Sequence, residues 1–283
     1  MLAILGGIGA AAAWAVSVLC SSRSSRMIDP MAVVAWVMLV GLVITAPLAA
    51  ATGVPGRLHG SAVVWLIISG AGNVAGLIVN YYALRLGQVS LVAPIISSEG
   101  AIAAVISVIA GATLGVAVGA TLLVIVLGVL LASIPSPDAA VEDALRHPKV
   151  VLLAIVSAVS FGTSLYATGR SGALLPASWV VLSARLIGAV ALALPLALAG
   201  RLRLTARAAP LVVASGLAEV AGFYSYTLGS RHGLAIAAVL SSQFAVLALA
   251  ASYVLFGERL SRLQLSGVAC VVVGVAALSV LHA

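Results

Sequence analysis

Five polar side chains sit inside long apolar runs where such groups are costly: Asn73, Glu99, Arg185, Glu219 and Gln243. An ionisable group at the centre of a bilayer costs about 2.5–3.5 kcal/mol on insertion scales, so it faces a bundle interior or a wet cavity and is a functional candidate by default. Glu219 and Glu99 could each take up a proton or a cation and release it again, and Arg185 could pair with a carboxylate or with the anionic group of a small molecule. A structural reading stands beside this one: either glutamate could simply brace against Arg185, or be held protonated by neighbouring Ser and Tyr residues. One guanidinium cannot neutralise two separated carboxylates, which leaves one carboxyl free to be protonated at rest.

Helical spacing adds a lining to these charges. Asn73 and Asn80 are seven residues apart and share a helix face; Glu219, Phe223 and Tyr226 share another, and Ser178 and Arg185 a third. A cavity built this way mixes carboxylate, guanidinium, amide and phenol groups with apolar walls, which suits an amphiphilic or zwitterionic small molecule such as an amino acid. Gln243 would join Asn73, Asn80 and Tyr226 in shaping selectivity. Ser98 and Ser242, from the Ser97-Ser98 and Ser241-Ser242 pairs, could hydrogen-bond a ligand, although helix serines commonly bond the preceding turn. Trp14 could line the cavity or sit near an interface, and Tyr81, Tyr82 and Tyr224 could touch a ligand or only pack. Gly111, Gly115 and Gly119, and Gly72 with Gly76, have the spacing of close helix contacts in lipid.

The elements that must hold these residues are transmembrane helices. Of 283 residues, 63% are hydrophobic and 7% charged, against about 25% charged in a soluble domain. Breaking the chain at charges, Pro and Gly gives ten apolar segments near 2–20, 31–52, 61–84, 89–110, 113–134, 150–168, 177–199, 208–229, 234–256 and 264–282, several close to the 20 or so residues that cross a bilayer. They are too long and too uniformly apolar for the strands of a membrane barrel. The net charge of +7 reads as orientation in an anionic membrane rather than nucleic-acid binding, since no basic face with aromatics exists.

The chain also repeats itself. Ser69-Gly70-Ala71-Gly72-Asn73-Val74-Ala75-Gly76 aligns with Ser215-Gly216-Leu217-Ala218-Glu219-Val220-Ala221-Gly222 at an offset of 146, with five of eight positions identical. Trp14, Ser17, Arg23 and Ser24 match Phe161, Ser164, Arg170 and Ser171 at an offset of 147, and Ile96-Ser97-Ser98-Glu99 faces Leu240-Ser241-Ser242-Gln243. The expected organisation is a first repeat over 1–137, a connecting loop over 138–149 and a second repeat over 150–283. Five spans per repeat is an odd number, so the second copy enters the bilayer upside down. The expected fold is an all-α membrane protein of ten transmembrane helices in two inverted five-helix repeats, the architecture by which secondary transporters alternate access to a midplane site.

The two copies resemble the EamA repeats of the drug/metabolite transporter superfamily in its ten-helix form. The motifs are Tyr82-Ala83-Leu84-Arg85-Leu86-Gly87 with the downstream Ala93-Pro94, and Leu255-Phe256-Gly257-Glu258-Arg259-Leu260-Ser261 before the last helix. The first repeat has Gly111-Ala112-Thr113-Leu114 where a Gly-Glu pair is usual, and Ala238 stands opposite Pro94, so the sequence supplies no second proline for a shared kink. The resemblance implies a multi-pass transporter of the inner (plasma) membrane that exports a small metabolite, by proton-linked or facilitated transport, with no cofactor. Its expected partners are the small-molecule substrate, protons and the lipid bilayer, and its expected state a monomer or homodimer. The alternatives are a multidrug or cationic-compound exporter, against which Arg185 argues, and a non-transporting membrane partner or lipid-handling subunit.

Enzymatic signatures are missing. His59, His147, His232 and His282 are scattered, Cys20 and Cys270 have no metal spacing, and no P-loop occurs. Ten Lys and Arg residues fall in the loops on one side, among them Arg23, Arg26, Arg85, Arg201 and Arg259, against three on the other (Arg57, Arg170 and Arg231). The positive-inside rule therefore places both termini outside the cytoplasm, whereas the resemblance implies cytoplasmic termini. A reporter active only outside the cytoplasm is expected to work when fused to the C-terminus; activity of a cytoplasmic reporter there instead would overturn the charge count.

Overall fold

The computed structural model describes residues 1–56, 58, 60–87, 89–132, 148–247 and 262–281. Most of the connecting loop, the Leu255–Ser261 motif with Glu258 and Arg259, and Arg57, Arg146 and His59 lie outside the described residues. The described residues are helical, with no strand among them, as expected where no water is available to satisfy a backbone group.

In chain order the helices are α1 (Leu2–Met27), α2 (Pro30–Thr52), α3 (Ser61–Leu86), α4 (Val89–Ile96), α5 (Glu99–Ile109), α6 (Val116–Ala132), α7 (Pro148–Gly172), α8 (Ala177–Gly188), α9 (Leu194–Leu198), α10 (Ala209–Ser230), α11 (Leu234–Ser241) and α12 (Arg262–Leu281). Among the described residues, six spans are long and apolar enough to cross a membrane: α1, α2, α3, α7, the continuous Ala177–Leu198 and α10. Shorter apolar helices cover Glu99–Ile109, Val116–Gly128, Leu234–Leu247 and Leu265–Val275. The chain is an integral, multi-pass membrane protein.

Local chemistry sets where these helices start and stop. The Asp29 carboxylate accepts from the Met31 N–H at 3.1 Å, with Pro30 in the first turn of α2. Gly53 and Gly200, 147 residues apart, follow the ends of α2 and α9 with φ of 68° and 65°, a left-handed turn that glycine makes without strain. Pro195 cannot donate to the carbonyl four residues back, and the five residues Ala189–Ala193 before it widen into a π-helical turn that joins α8 to α9.

The fourth and ninth expected spans are each interrupted. α4 gives way to α5 at Ser97-Ser98, and α11 ends at Ser241 with a turn at Ser242-Gln243 before Phe244–Leu247 resumes as helix. Ser98 and Ser242 adopt nearly the same backbone angles, φ −67°, ψ −10° and φ −72°, ψ −4°. The shared feature is serine, not proline. Ser97 and Ser98 donate to Ala93 O and Ile95 O, and Ser241 and Ser242 to Ala238 O and Val239 O, a local competition that bends helices.

Packing pairs the two halves reciprocally. α1 lies chiefly on α10, α3 on α7, α2 on α8 and α6 on α12, while α5 packs on both α7 and α11. Glycines make these approaches close, and they do so in repeat-related couples. A Cβ on Gly76 would stand 2.6 Å from the Phe161 ring, and one on Gly222 would stand 2.7 Å from Cδ1 of Trp14. Gly41 likewise clears the Arg185 side chain, while its counterpart Gly188 clears Met38. Gly72 and Gly76 pack against α7 as the spacing suggested, but nothing lies within 4 Å of a Cβ placed on Gly111, Gly115 or Gly119. Those three glycines make no close packing contact among the described residues.

One end of the bundle gathers the ends of α1 and α3 with the starts of α2 and α7. Arg26 Nη2 donates to Gly87 O at 3.0 Å, Gly87 faces Val150, and Asp29 lies 3.4 Å from Arg201. The opposite end gathers the start of α1 with the ends of α2, α7 and α10. Trp179 Nε1 donates to Gly53 O at 2.9 Å, Arg231 donates to Gly172 O and Leu175 O, and Gly6 faces Gly229. These are the Asp29 end and the Gly53 end below.

Gly41→Ala places a methyl group 2.7 Å from Arg185 Cδ, an overpacking that should cost about 1–3 kcal/mol. Thermal unfolding in detergent is expected to show this loss, while Gly119→Ala, which meets no described residue, keeps or raises the unfolding temperature.

Candidate functional site

At mid-depth of α10 the Glu219 carboxylate is held from two sides. Its Oε1 accepts from Ser17 Oγ of α1 at 3.0 Å, and its Oε2 lies 3.8 Å from Arg185 Nη2 of α8. Ser17 Oγ also lies 3.0 Å from Ser215 Oγ, which is 3.3 Å from the Tyr81 hydroxyl. A chain of polar groups thus runs from Tyr81 on α3 through Ser215 and Ser17 to Glu219 and Arg185, crossing both halves of the protein.

Arg185 is fully buried and thinly satisfied. Its Nη1 reaches Met38 Sδ at 3.5 Å, its guanidinium carbon lies 5.2 Å from the centre of the Phe223 ring, and its Nε and Nη2 have no hydrogen-bond partner. The Phe223 face supplies a cation–π contact, and Glu219 supplies the countercharge. Met38 occupies the position in the first repeat that Arg185 occupies in the second, so the guanidinium meets its own counterpart across the junction of the halves.

Beside this pair is a narrow cavity of about 40 Å³, room for two or three water molecules. Its walls are repeat-related couples. Trp14 stands with Phe161, Ser17 with Ser164 and Val18 with Leu165, from α1 and α7; Leu77 stands with Phe223 and Asn73 with Glu219, from α3 and α10. Ser21, Asn80 and Tyr81 extend the cavity toward the Asp29 end, and Ile96, Glu99 and Phe244 complete it.

Glu99 is 4% exposed and lines the cavity, with no hydrogen bond or ion pair among the described residues. It is the first residue of α5, directly after the Ser97-Ser98 break, where the partial positive charge of a helix start favours an anion. Asn73 and Asn80 also line the cavity, each with a buried Oδ1 that has no partner.

The expected site residues therefore divide. Glu219, Glu99, Asn73, Asn80 and Trp14 come together around one cavity. Arg185 stands behind Glu219 and is not part of the wall. Tyr226 is fully buried beyond Trp14, 6.2 Å between ring centres, and its hydroxyl donates to Leu165 O. Ser98, Ser242 and Gln243 also lie off the wall. They spend their side-chain donors on carbonyls of their own helices, Gln243 Nε2 on Val239 O, although Gln243 Oε1 is left without a partner. The sequence reading passed over Ser17, Ser164 and Phe244 as site residues. For Ser17 and Ser164 the signal was present, since they are repeat-matched and share a helix face with Trp14 and Phe161.

The model of the EamA-like transporter family matches this chain twice, over residues 1–134 and 148–280. A protein of known crystal structure is similar over 99% of this chain and 97% of its own, with a TM-score of 0.77 and 21% identity, a likeness of fold. No curated protein matches the chain in sequence.

Removing one partner of a buried ion pair commonly costs about 3–5 kcal/mol, whereas replacing both by apolar or neutral groups can be nearly neutral. Glu219→Gln and Arg185→Met are each expected to lower the unfolding temperature sharply, and the double variant to recover most of the loss. Additive losses in the double variant would show that the two side chains do not act as a pair.

Proposed function

The chain belongs to the EamA-like transporter family, and from that premise we propose that it is a secondary transporter exporting a small ammonium-bearing metabolite, an amino acid or related amine. Transport runs by alternating access around the cavity between the repeats. The observation that carries this reading is that two buried carboxylates face one cavity while, among the described residues, only Glu219 has a cation beside it. An ionised Glu99 leaves that cavity with unbalanced negative charge, which a proton or an ammonium group neutralises. Trp14, Phe161, Phe223 and Phe244 around it offer apolar surface and ring faces to the rest of the cargo. Asn73 and Asn80, with oxygens lacking partners, add acceptors for its N–H groups.

The inverted arrangement has its own support. α1 ends at the Asp29 end and its repeat counterpart α7 begins there, as the contacts of Arg26, Gly87 and Val150 require. The reciprocal helix pairs and the paired cavity walls are what a two-fold relation between the halves produces. A second reading, export of hydrophobic cations, gains from the same geometry. Arg185 stood against it in the sequence, and Arg185 is not in the cavity wall.

Thermal unfolding in detergent across amino acids, amines, quaternary ammonium compounds, sugars and phosphorylated metabolites tests both. A ligand at about 100 times its dissociation constant contributes roughly 2.7 kcal/mol to the folded state. Stabilisation is expected with ammonium-bearing compounds alone and should vanish in Glu99→Gln. Equal shifts with quaternary cations and amino acids select the second reading. A flat panel removes the cargo assignment and favours a non-transporting partner subunit.

A further inference from the structure

Tyr226 and Asn80 hold equivalent places in the two repeats, on α10 and α3, seven residues beyond Glu219 and Asn73. Their surroundings differ. The Tyr226 hydroxyl donates to Leu165 O at 2.8 Å, tying α10 to α7 on the Gly53 side of Glu219. Asn80 lies on the Asp29 side of Asn73, lines the cavity, and has an Oδ1 without a partner. The residue equivalent to Leu165 is Val18 on α1, which also lines the cavity. The equivalent places are therefore joined by a hydrogen bond in the second half, whereas in the first Asn80 and Val18 face the same cavity with no hydrogen bond between them. Val18 O, inside α1, already accepts a helical N–H and Ser21 Oγ, the latter at 3.1 Å, so Asn80 reaches this carbonyl by displacing the Ser21 hydroxyl from its lone pair.

We propose that Tyr226 and Asn80 are alternating latches, positioning residues rather than cargo contacts, an assignment that rests on the alternating-access reading above. The Tyr226–Leu165 bond holds the Gly53 end closed. When the two halves exchange conformations, Tyr226 releases Leu165 O while the Asn80 amide N–H donates to Val18 O and closes the Asp29 end. The side chains differ because each has one carbonyl to meet: the phenol reaches across from beyond Trp14, whereas the shorter amide closes onto α1 only when the cavity has collapsed. Each latch biases one end state, so their loss shifts the equilibrium in opposite directions.

Thr168 is the repeat counterpart of Ser21 and is fully buried near the Gly53 end of α7, so a cysteine there reacts with a water-soluble maleimide only when that end opens. The test uses the full chain with Cys20→Ser, Cys270→Ser and Thr168→Cys, in detergent. Tyr226→Phe, which keeps the ring, is expected to raise the labelling rate about tenfold, the population change that loss of one buried hydrogen bond produces. Asn80→Ala is expected to lower the rate several-fold, and the double variant to fall between. An unchanged rate in both, or a change of the same sign in both, overturns the latch assignment. If the parent never labels at Thr168→Cys while Ser21→Cys in the same background does, alternating access itself fails, a result distinct from a labelled parent that the variants leave unmoved. Thermal unfolding of each variant separates a shifted equilibrium from a general loosening, which would raise labelling at both cysteines together.

Discussion

A guanidinium with no access to water, set 3.8 Å from a single carboxylate, is the constraint around which this bundle is arranged. An unpaired buried charge is far more costly than a paired one, so the surroundings of Arg185 have little freedom. Gly41 must stay small to clear its stem, Phe223 must present its ring face, and Ser17 must hold the other oxygen of Glu219. These residues come from α1, α2, α8 and α10, so one ion pair joins four helices and both repeats. In lipid, where apolar surface gains little by packing on apolar surface, such polar contacts and close glycine approaches hold helices together.

The repeats are alike in backbone and unlike in charge. Each contributes one carboxylate and one amide to the equivalent places: Asn73 and Glu99 in the first, Glu219 and Gln243 in the second. Only the second supplies a cation, where the first has Met38. A reciprocal pairing of helices thus carries an electrostatically one-sided site. Glu219 is held by Arg185 and Ser17, whereas Glu99, at the start of α5, has no partner among the described residues. The pair of helix breaks at Ser98 and Ser242 shows the opposite balance, with shared geometry outlasting a change at Pro94 and Ala238 because the serines, rather than the proline, compete for the carbonyls.

Much of the frame was legible before any coordinates. Runs of apolar residues, duplicated Ser-Gly and Arg-x-Gly positions, and charges stranded inside spans gave a helical membrane protein with two related halves. They also gave Glu219, Glu99 and Asn73 as its polar centre. The pairing of Arg185 with Glu219 was an open alternative in the sequence, since a helix fixes which residues share its own face but not which other helix that face meets. Gly115 and Gly119 show the same limit: the spacing for close packing is present, and no described residue packs against either glycine.

What the sequence by itself determined is what depends on solvent and periodicity: helices where no water can pair the backbone, their ends at Asp29, Gly53 and Gly200, and the equivalence of the halves. Only the tertiary structure decided which polar groups are spent and which are free. Tyr226, Ser98, Ser242 and Gln243 are the residue types that line a binding cavity. Yet each places a donor on a backbone carbonyl, because within a dry bundle the nearest acceptor is taken. Glu99 has no engaged carboxyl oxygen among the described residues because the break before α5 directs it into the cavity lined by Trp14 and its repeat counterpart Phe161. That outcome rests on distances between helices that meet in three dimensions, which no spacing along one chain encodes.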